Sequence, residues 1–365
     1  MTQPQLEIQA IAVLMAVACA LPGTFLVLRR LAMLSDAVSH AVLPGLVVGF
    51  LLTGSISSPL LFIGAAAAGL LTTWLVEATR RTGLVREDAA IGLVFPALFS
   101  IGVLLIARYA GSVHLDADAV LLGELAFAPF DRIVAFGLDF GPRALWVGGA
   151  LVVVNGLFVA VLRKELTVTT FDAALAAGLG FAPGVLYYAL MTVVSVTSVG
   201  AFDAVGSVLV VAFFAGPPAT ALLLARRVRS VLFVAIGVAA ACALGGYWVA
   251  RVLDASIAGA MASVVGLAFG AACAFAPERG YFARRRLGEQ QRSMFAARTL
   301  AVHLAQHEHG PDADRESRRS HLVDHVGWTE AHAERTIRRA EAYGWLRADG
   351  DRLHLTEAGR GVGEE

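Results

Sequence analysis

Nine long apolar runs, separated by short charged connections, constrain this chain more than any other feature. They lie near residues 8–28, 33–54, 59–79, 89–107, 144–162, 184–200, 204–225, 230–250 and 256–276. About 20 apolar residues cross a bilayer as helix. Only helices and closed barrels satisfy their backbone in lipid, and these runs are too continuous for barrel strands. The fold expected for residues 1–280 is therefore an all-α polytopic membrane protein of about nine transmembrane helices. A composition of 57% hydrophobic and 16% charged residues excludes an ordinary soluble enzyme. The formal net charge is zero and points to no anionic partner. Cys19, Cys242 and Cys273 all lie in apolar runs, without disulfide or metal-site spacing, and read as buried small hydrophobes. The start, MTQPQLEIQA, has no basic region, so it reads as the outer end of a first span rather than a cleaved signal peptide.

Basic residues set the expected orientation. Arg29 and Arg30 follow the first run, Arg80, Arg81 and Arg86 the third, and Arg163 and Lys164 the fifth. Arg226, Arg227 and Arg229 follow the seventh, and Arg284, Arg285 and Arg286 the ninth. The alternate connections hold only Arg108, Arg132, Arg143 and Arg251 as basic residues. This places the N-terminus outside and the C-terminus in the cytoplasm of a multi-pass cell-membrane protein. The longest outer connection, 108–143, is acidic and apolar by turns. It reads equally as a partner surface or as a packed connector.

Asp36 and His40 interrupt the second run in MLSDAVSHAV. Residues four apart share one helix face, and an ionisable side chain within a span faces a cavity or a partner. Asp oxygen with His nitrogen suits divalent manganese, iron or zinc. The competing reading is a hydrogen bond that only pins two helices. Pro44 and Gly45 follow one turn later and free backbone carbonyls toward a pathway. Asp203 is the one other acid in a long apolar stretch rich in Ser, Thr, Gly and Pro, and its simpler reading is a loop acid near an outer turn. Between the fifth and sixth runs, FDAALAAGLG reads as a short cytoplasmic helix, capped by Asp172 and ended by Gly178 and Gly180. It reads either as a docking helix or as an amphipathic connector.

These stretches together resemble one family. RRLAMLSDAVSHAVLPGLVVGFLL resembles the second-span signature of the ABC-transporter permeases for manganese, zinc and iron. LTVTTFDAALAAGLGF resembles their cytoplasmic coupling segment, and VGSVLVVAFFAGPPATALLL a late-span signature. LDADAVLLGELAF is a looser match to their outer loop. The resemblance covers about residues 8–276. It implies a membrane-spanning subunit that forms the pore as a homodimer, with a separate cytoplasmic ATPase and an extracytoplasmic metal-binding receptor. It implies that Asp36 and His40 contact the ion in its pathway and that Phe171, Asp172 and Gly178 contact the ATPase. Ala173 stands where the family often has Pro, which bears on the coupling geometry. If both copies of Asp36 and His40 reach a two-fold axis, they surround one ion. No resident cofactor is implied; the divalent ion is cargo, and ATP belongs to the partner. Independently, a P-loop needs a Gly-Lys pair, and the only lysine, Lys164, follows Arg163.

From Glu278 the composition changes abruptly, and residues 293–365 are polar and hold seven of the nine histidines. A helix over 293–306, a second over 321–326, a third after Thr329 with Ile337 and Ala340 inward, and a hairpin about Asp349-Gly350 are expected. This order resembles a winged helix, as in the DNA-binding part of iron- or manganese-dependent repressors, giving a small cytoplasmic α+β domain over 281–365. Arg335, Arg338 and Arg339 on its third helix alternate with Glu330, Glu334 and Glu341, which dilutes the basic stripe DNA binding needs. A regulatory or protein-binding module is the preferred reading over a DNA-binding one. His303, His307 and His309 are candidate metal ligands, and solvated histidines are the simpler reading.

The leading reading is the permease subunit of an ATP-driven importer of divalent metal ions, manganese first and zinc or iron next. The order of metals rests mainly on the repressor-like tail. The alternatives are a membrane-anchored metal-responsive transcription regulator and a permease for a metal chelate such as a siderophore or cobalamin. The Asp36–His40 pair favours a bare ion over a chelate.

Overall fold

The computed structural model describes residues 2–54, 58–109, 125–135, 138–309, 312–324 and 326–364. The chain forms two compact units, Met1–Ala276 and Pro277–Glu365.

In the first unit the apolar runs become helices. They are α1 (Gln3–Leu28), α2 (Ala32–Ala41), α3 (Leu43–Thr53), α4 (Pro59–Arg81) and α5 (Glu87–Tyr109). A hairpin of β1 (Arg132–Ala135) and β2 (Leu138–Pro142) follows, then α6 (Arg143–Val161), α7 (Arg163–Phe171) and α8 (Ala173–Gly178). The unit closes with α9 (Pro183–Val205), α10 (Ser207–Leu224), α11 (Val228–Leu253) and α12 (Ile257–Phe275). Among the described residues, eight helical segments are long and apolar enough to cross a membrane, counting α2 with α3 and α6 with α7 as single spans. The 23-residue α4 is not among the eight but stands where the third span is expected.

The unit is built around α1, which packs against α6, α9, α10 and α11. Pro22 lies inside α1 and lacks the N–H that would bond the Ala18 carbonyl four residues back. Asn155 of α6, fully buried, supplies the missing donor: its Nδ2 reaches the Ala18 carbonyl at 2.8 Å and Thr197 Oγ1 of α9 at 2.8 Å. Three helices are thereby joined by one amide. Replacing Asn155 with leucine is expected to cost about 1–2 kcal/mol, because a buried carbonyl and a hydroxyl lose their donor together. Thermal unfolding of the purified protein in detergent measures this, and a melting curve unchanged from the parent would refute it. A related arrangement joins α1 to α10. Pro218 frees the Phe214 carbonyl, and Gly23 is seated so closely on it that a Cβ at Gly23 would lie 2.3 Å from that oxygen.

The ends of α1 distinguish two sides of the unit. At its start, Glu7 meets Arg132 of the hairpin at 3.1 Å, and Arg132 also holds Asp139 at 2.6 Å. At its far end, Arg29 donates to Thr169 Oγ1 at 2.8 Å and Thr170 Oγ1 at 3.1 Å in α7. A 26-residue helix is about 39 Å long, so the hairpin and α7 lie at opposite ends of it.

Several boundaries differ from expectation. The second run is two helices, not one. The turn expected near Asp203 falls at Gly206, whose φ of +76° a residue with a side chain rarely adopts. Pro217 and Pro218 sit inside the continuous α10. The basic connection after α6 is itself helical, and within it Thr167, Thr169 and Thr170 satisfy their side chains on carbonyls four residues back. Cys19 and Cys242 are buried as expected, but Cys273 is exposed. It projects from an apolar helix, where the outside is lipid or a partner. Most of the LDADAVLLGELAF stretch lies outside the described residues.

In the second unit, α13 (Tyr281–His307), α14 (Ala313–Glu316), α15 (Arg319–Asp324) and α16 (Glu330–Ala342) precede a hairpin of β3 (Leu346–Asp349) and β4 (Arg352–Leu355), closed by α17 (Glu357–Glu364). The hairpin pairs Asp349 with Arg352, leaving the two-residue turn Gly350-Asp351 with Gly350 at φ +60°. Ile337 and Ala340 face a core with Leu300, Leu304, Leu322 and Leu353. α13 starts 12 residues before the expected helix, through an exposed stretch with no apolar stripe but with an Arg285–Glu289 pair at 3.3 Å.

Candidate functional site

The second run breaks where its chemistry lies. Val42 joins α2 to α3 with near-helical angles (φ −67°, ψ −26°). Pro44 lacks an N–H, so the His40 carbonyl loses its helical donor. The break thus costs the residue that carries the imidazole its i+4 main-chain donor. Starting from the Arg29 end, His40 lies about 12 Å along α2, well inside the span.

Asp36 and His40 share one face of α2, with Asp36 Oδ1 and His40 Nε2 3.4 Å apart. The imidazole lies against Phe95 at 5.5 Å and edge-on to Phe99 at 6.5 Å, both on α5. The opposite face of α2 is sealed: Leu34, Ser35, Val38 and Ser39 are buried, and Ser39 Oγ donates to the Ser35 carbonyl at 2.8 Å. Against this packing, the Asp36 side chain is 41% exposed and that of His40 25%. A carboxylate open to lipid at this depth costs a few kcal/mol. The open side of the pair therefore faces a watery path or another protein chain.

Glycine positions this segment. Gly45 and Gly49 on α3 form a small-xxx-small face against Gly64 of α4, so close that a Cβ at Gly45 would lie 2.1 Å from the Gly64 carbonyl oxygen. Gly102 of α5 is seated against Pro44 in the same way, with 2.9 Å from its built Cβ to the Pro44 nitrogen.

At the Arg29 end, the main chain turns out of α7 at Asp172 (φ −148°, ψ 94°), and Asp172 Oδ1 accepts from the Leu175 N–H at 2.8 Å, capping α8. Gly178 is the last helical residue, and Gly180, at φ +87°, lets the Phe181 N–H reach back to the Ala176 carbonyl at 3.0 Å. Phe171, Leu175 and Leu179 stand exposed around this turn. Asp203 is exposed in the last turn of α9 and not in a loop. In the second unit His303 and His307 lie one turn apart with ring centroids 4.9 Å apart, and His309 is exposed.

A multi-pass helical membrane protein with a polar pair in a broken span and a short capped helix at one end is the class these features define. The chain belongs to the ABC 3 transport family, which matches residues 5–276. It is a membrane transport component, not an enzyme. It is 44% identical over 354 residues to the zinc transport system membrane protein TroD of Treponema pallidum, covering 97% of this chain and 96% of the relative. It is 44% identical over 276 residues to the manganese transport system membrane protein MntD of Bacillus subtilis, covering 76% and 93%. PsaBC from Streptococcus pneumoniae, solved in complex with Fab, has the same fold: TM-score 0.65, 24% identity, with 78% of this chain and 96% of that chain covered.

Proposed function

We propose that the chain is the pore-forming subunit of an ATP-driven importer for bare divalent transition-metal ions, manganese or zinc before iron. The observation that carries this is the half-open Asp36–His40 pair inside a broken span. Its oxygen and nitrogen suit a borderline divalent ion, and the His40 carbonyl, which Pro44 cannot serve as donor, is a candidate third donor atom. Relatives named for zinc and manganese transport support the same cargo class.

The mechanism follows from the chain's own residues. An ion entering from the outer side sheds water and meets the Asp36 carboxylate and His40 imidazole, while Phe95 and Phe99 exclude solvent from one flank. A second copy of the chain supplies the opposing pair at a two-fold axis. On the other side, the exposed Phe171, Leu175 and Leu179 around the Asp172 cap form an apolar contact for a cytoplasmic ATPase. Arg29 ties α7 to the end of α1, so movement of α7 reaches the helix at the centre of the unit. The basic ends of α1, α4 and α6 support a cytoplasmic placement of this side. The second unit, helices followed by a hairpin, is read as a winged-helix-like regulatory or protein-binding module. The Glu334 carboxylate lies 3.1 Å from Arg319 and 3.8 Å from Arg338, which tempers the positive face DNA binding requires.

Metal accumulation tests the reading. Cells lacking their own importers, supplied with this chain, its ATPase and its receptor, are expected to accumulate manganese or zinc in an ATP-dependent way. Uptake of a siderophore or cobalamin, with no bare-ion uptake, would overturn it. Chains cut after residue 276 are expected to keep transport. Replacing Asp172 with alanine removes the cap and is expected to weaken α8 by about 1 kcal/mol. Metal-stimulated ATPase activity in the assembled complex should then fall while metal binding persists; unchanged stimulation would place the ATPase contact elsewhere.

A further inference from the structure

The second unit, outside the stretch that matches the transport family, holds a polar cluster. His303 projects from α13, Glu316 ends α14 and His321 lies on α15. One ligand atom from each lies within 4.8 Å of the others. The His303 and His321 rings stack with centroids 5.8 Å apart and planes 15° apart. His303 Nε2 is buried without a hydrogen-bond partner, an uncommon state for a buried polar atom. His307, one turn after His303, brings Nδ1 to 2.5 Å from Glu316 Oε2. Burial first, then the neighbouring His307 and His321, push the His303 pKa below its ordinary value against an opposing pull from Glu316.

We propose that His303, Glu316 and His321 form a binding site for a divalent ion of the zinc type, joining α14 and α15 to α13. Two imidazoles and one carboxylate are a common zinc donor set with an open fourth position. Zinc at bonds of about 2.0–2.2 Å sets its ligand atoms about 3.4 Å apart, so modest side-chain rotations close this cluster. Imidazole ligands favour zinc over manganese. His307 holds the Glu316 carboxylate toward the ion, the kind of support that fixes a metal-binding carboxylate. The orphaned His303 nitrogen gains the partner it lacks. An ion pair alone explains the His307–Glu316 contact, but not three donor groups from three helices converging on one point. The inference does not depend on the cargo of the membrane unit.

The test uses the full-length chain in detergent carrying Asp36→Ala and His40→Ala, so that pathway ligands do not contribute. Metal-stripped protein is titrated with zinc, and with cobalt(II) for its visible spectrum. Adding His303→Gln and His321→Gln is expected to remove one bound zinc per chain and the cobalt absorption band. Equal zinc stoichiometry with and without those two substitutions would overturn the proposal. Amide hydrogen exchange on the unsubstituted tail removes any ambiguity from misfolding. Zinc should slow exchange across residues 297–309 and 312–324 by about tenfold or more; no change there would equally sink the site. Failure of metal uptake in cells would leave these outcomes untouched.

Discussion

Alanine at Asp36 or His40 is expected to reduce metal uptake by at least about tenfold while the protein still reaches the membrane. Magnitudes separate this from the competing reading. As a purely structural contact, an i,i+4 pair at 3.4 Å with both side chains partly exposed contributes about 0.3–0.5 kcal/mol. Losing that leaves a folded transporter and near-normal uptake. As metal ligands, the two side chains matter far more, since even groups that merely support a ligand change affinity by about 10–100-fold. A tenfold change is about 1.4 kcal/mol, well above the structural contribution. Asp36→Asn sharpens the comparison: it keeps an oxygen and the helix face but removes the charge. It should behave like Asp36→Ala in uptake and like the parent in thermal unfolding. Normal uptake by all three variants at equal protein levels would reduce the pair to a hydrogen bond and move the search to Asp203 and the Gly206 break. The metal whose uptake falls also identifies the cargo.

How far the sequence was legible depends on how local each signal is. The spans were visible because lipid demands long uniform runs. The Asp172 cap and the Gly180 reversal were visible because capping chemistry sits within a few residues. The break at Val42 was only half visible. Pro44 announced a disturbance, but apolar residues on both sides hid that the run divides into two helices. The Gly206 turn was misplaced because Asp203 offered a more polar position, whereas the backbone required the residue that tolerates φ +76°. Asn155 is an amide inside an apolar run, but the carbonyl it serves lies on another helix, freed there by Pro22. The tail cluster was least legible. His303 and His307 show helical spacing, but Glu316 and His321 come from other elements, and only the fold brings them to His303. His309, included by proximity in sequence, lies on the exposed end beyond the helix.

The α3–α4 crossing gives the other large expected effect. A methyl at Gly45 would stand 2.1 Å from the Gly64 oxygen, 2.6 Å from its carbonyl carbon and 2.8 Å from the Ala68 Cβ. A methyl at Gly64 would stand 2.4 Å from the Gly45 oxygen. Three of these four obstacles are backbone atoms, which cannot rotate aside, so the helices must part. Overpacking of this kind costs about 1–3 kcal/mol. The displacement also reaches the candidate pathway, because α3 begins at Leu43, next to Pro44 and one turn beyond His40. Gly45→Ala is therefore expected to lower the melting temperature and to reduce uptake with Asp36 and His40 intact. Gly92→Ala on α5 is the matched control. A methyl there meets nothing within 4 Å, and alanine is favoured over glycine within a helix by about 0.5–1 kcal/mol. The two substitutions add the same methyl group to a helical glycine and should move stability in opposite directions. Equal melting curves for the pair would show that the crossing has room to relax, and that the position of His40 does not depend on the close approach of α3 to α4.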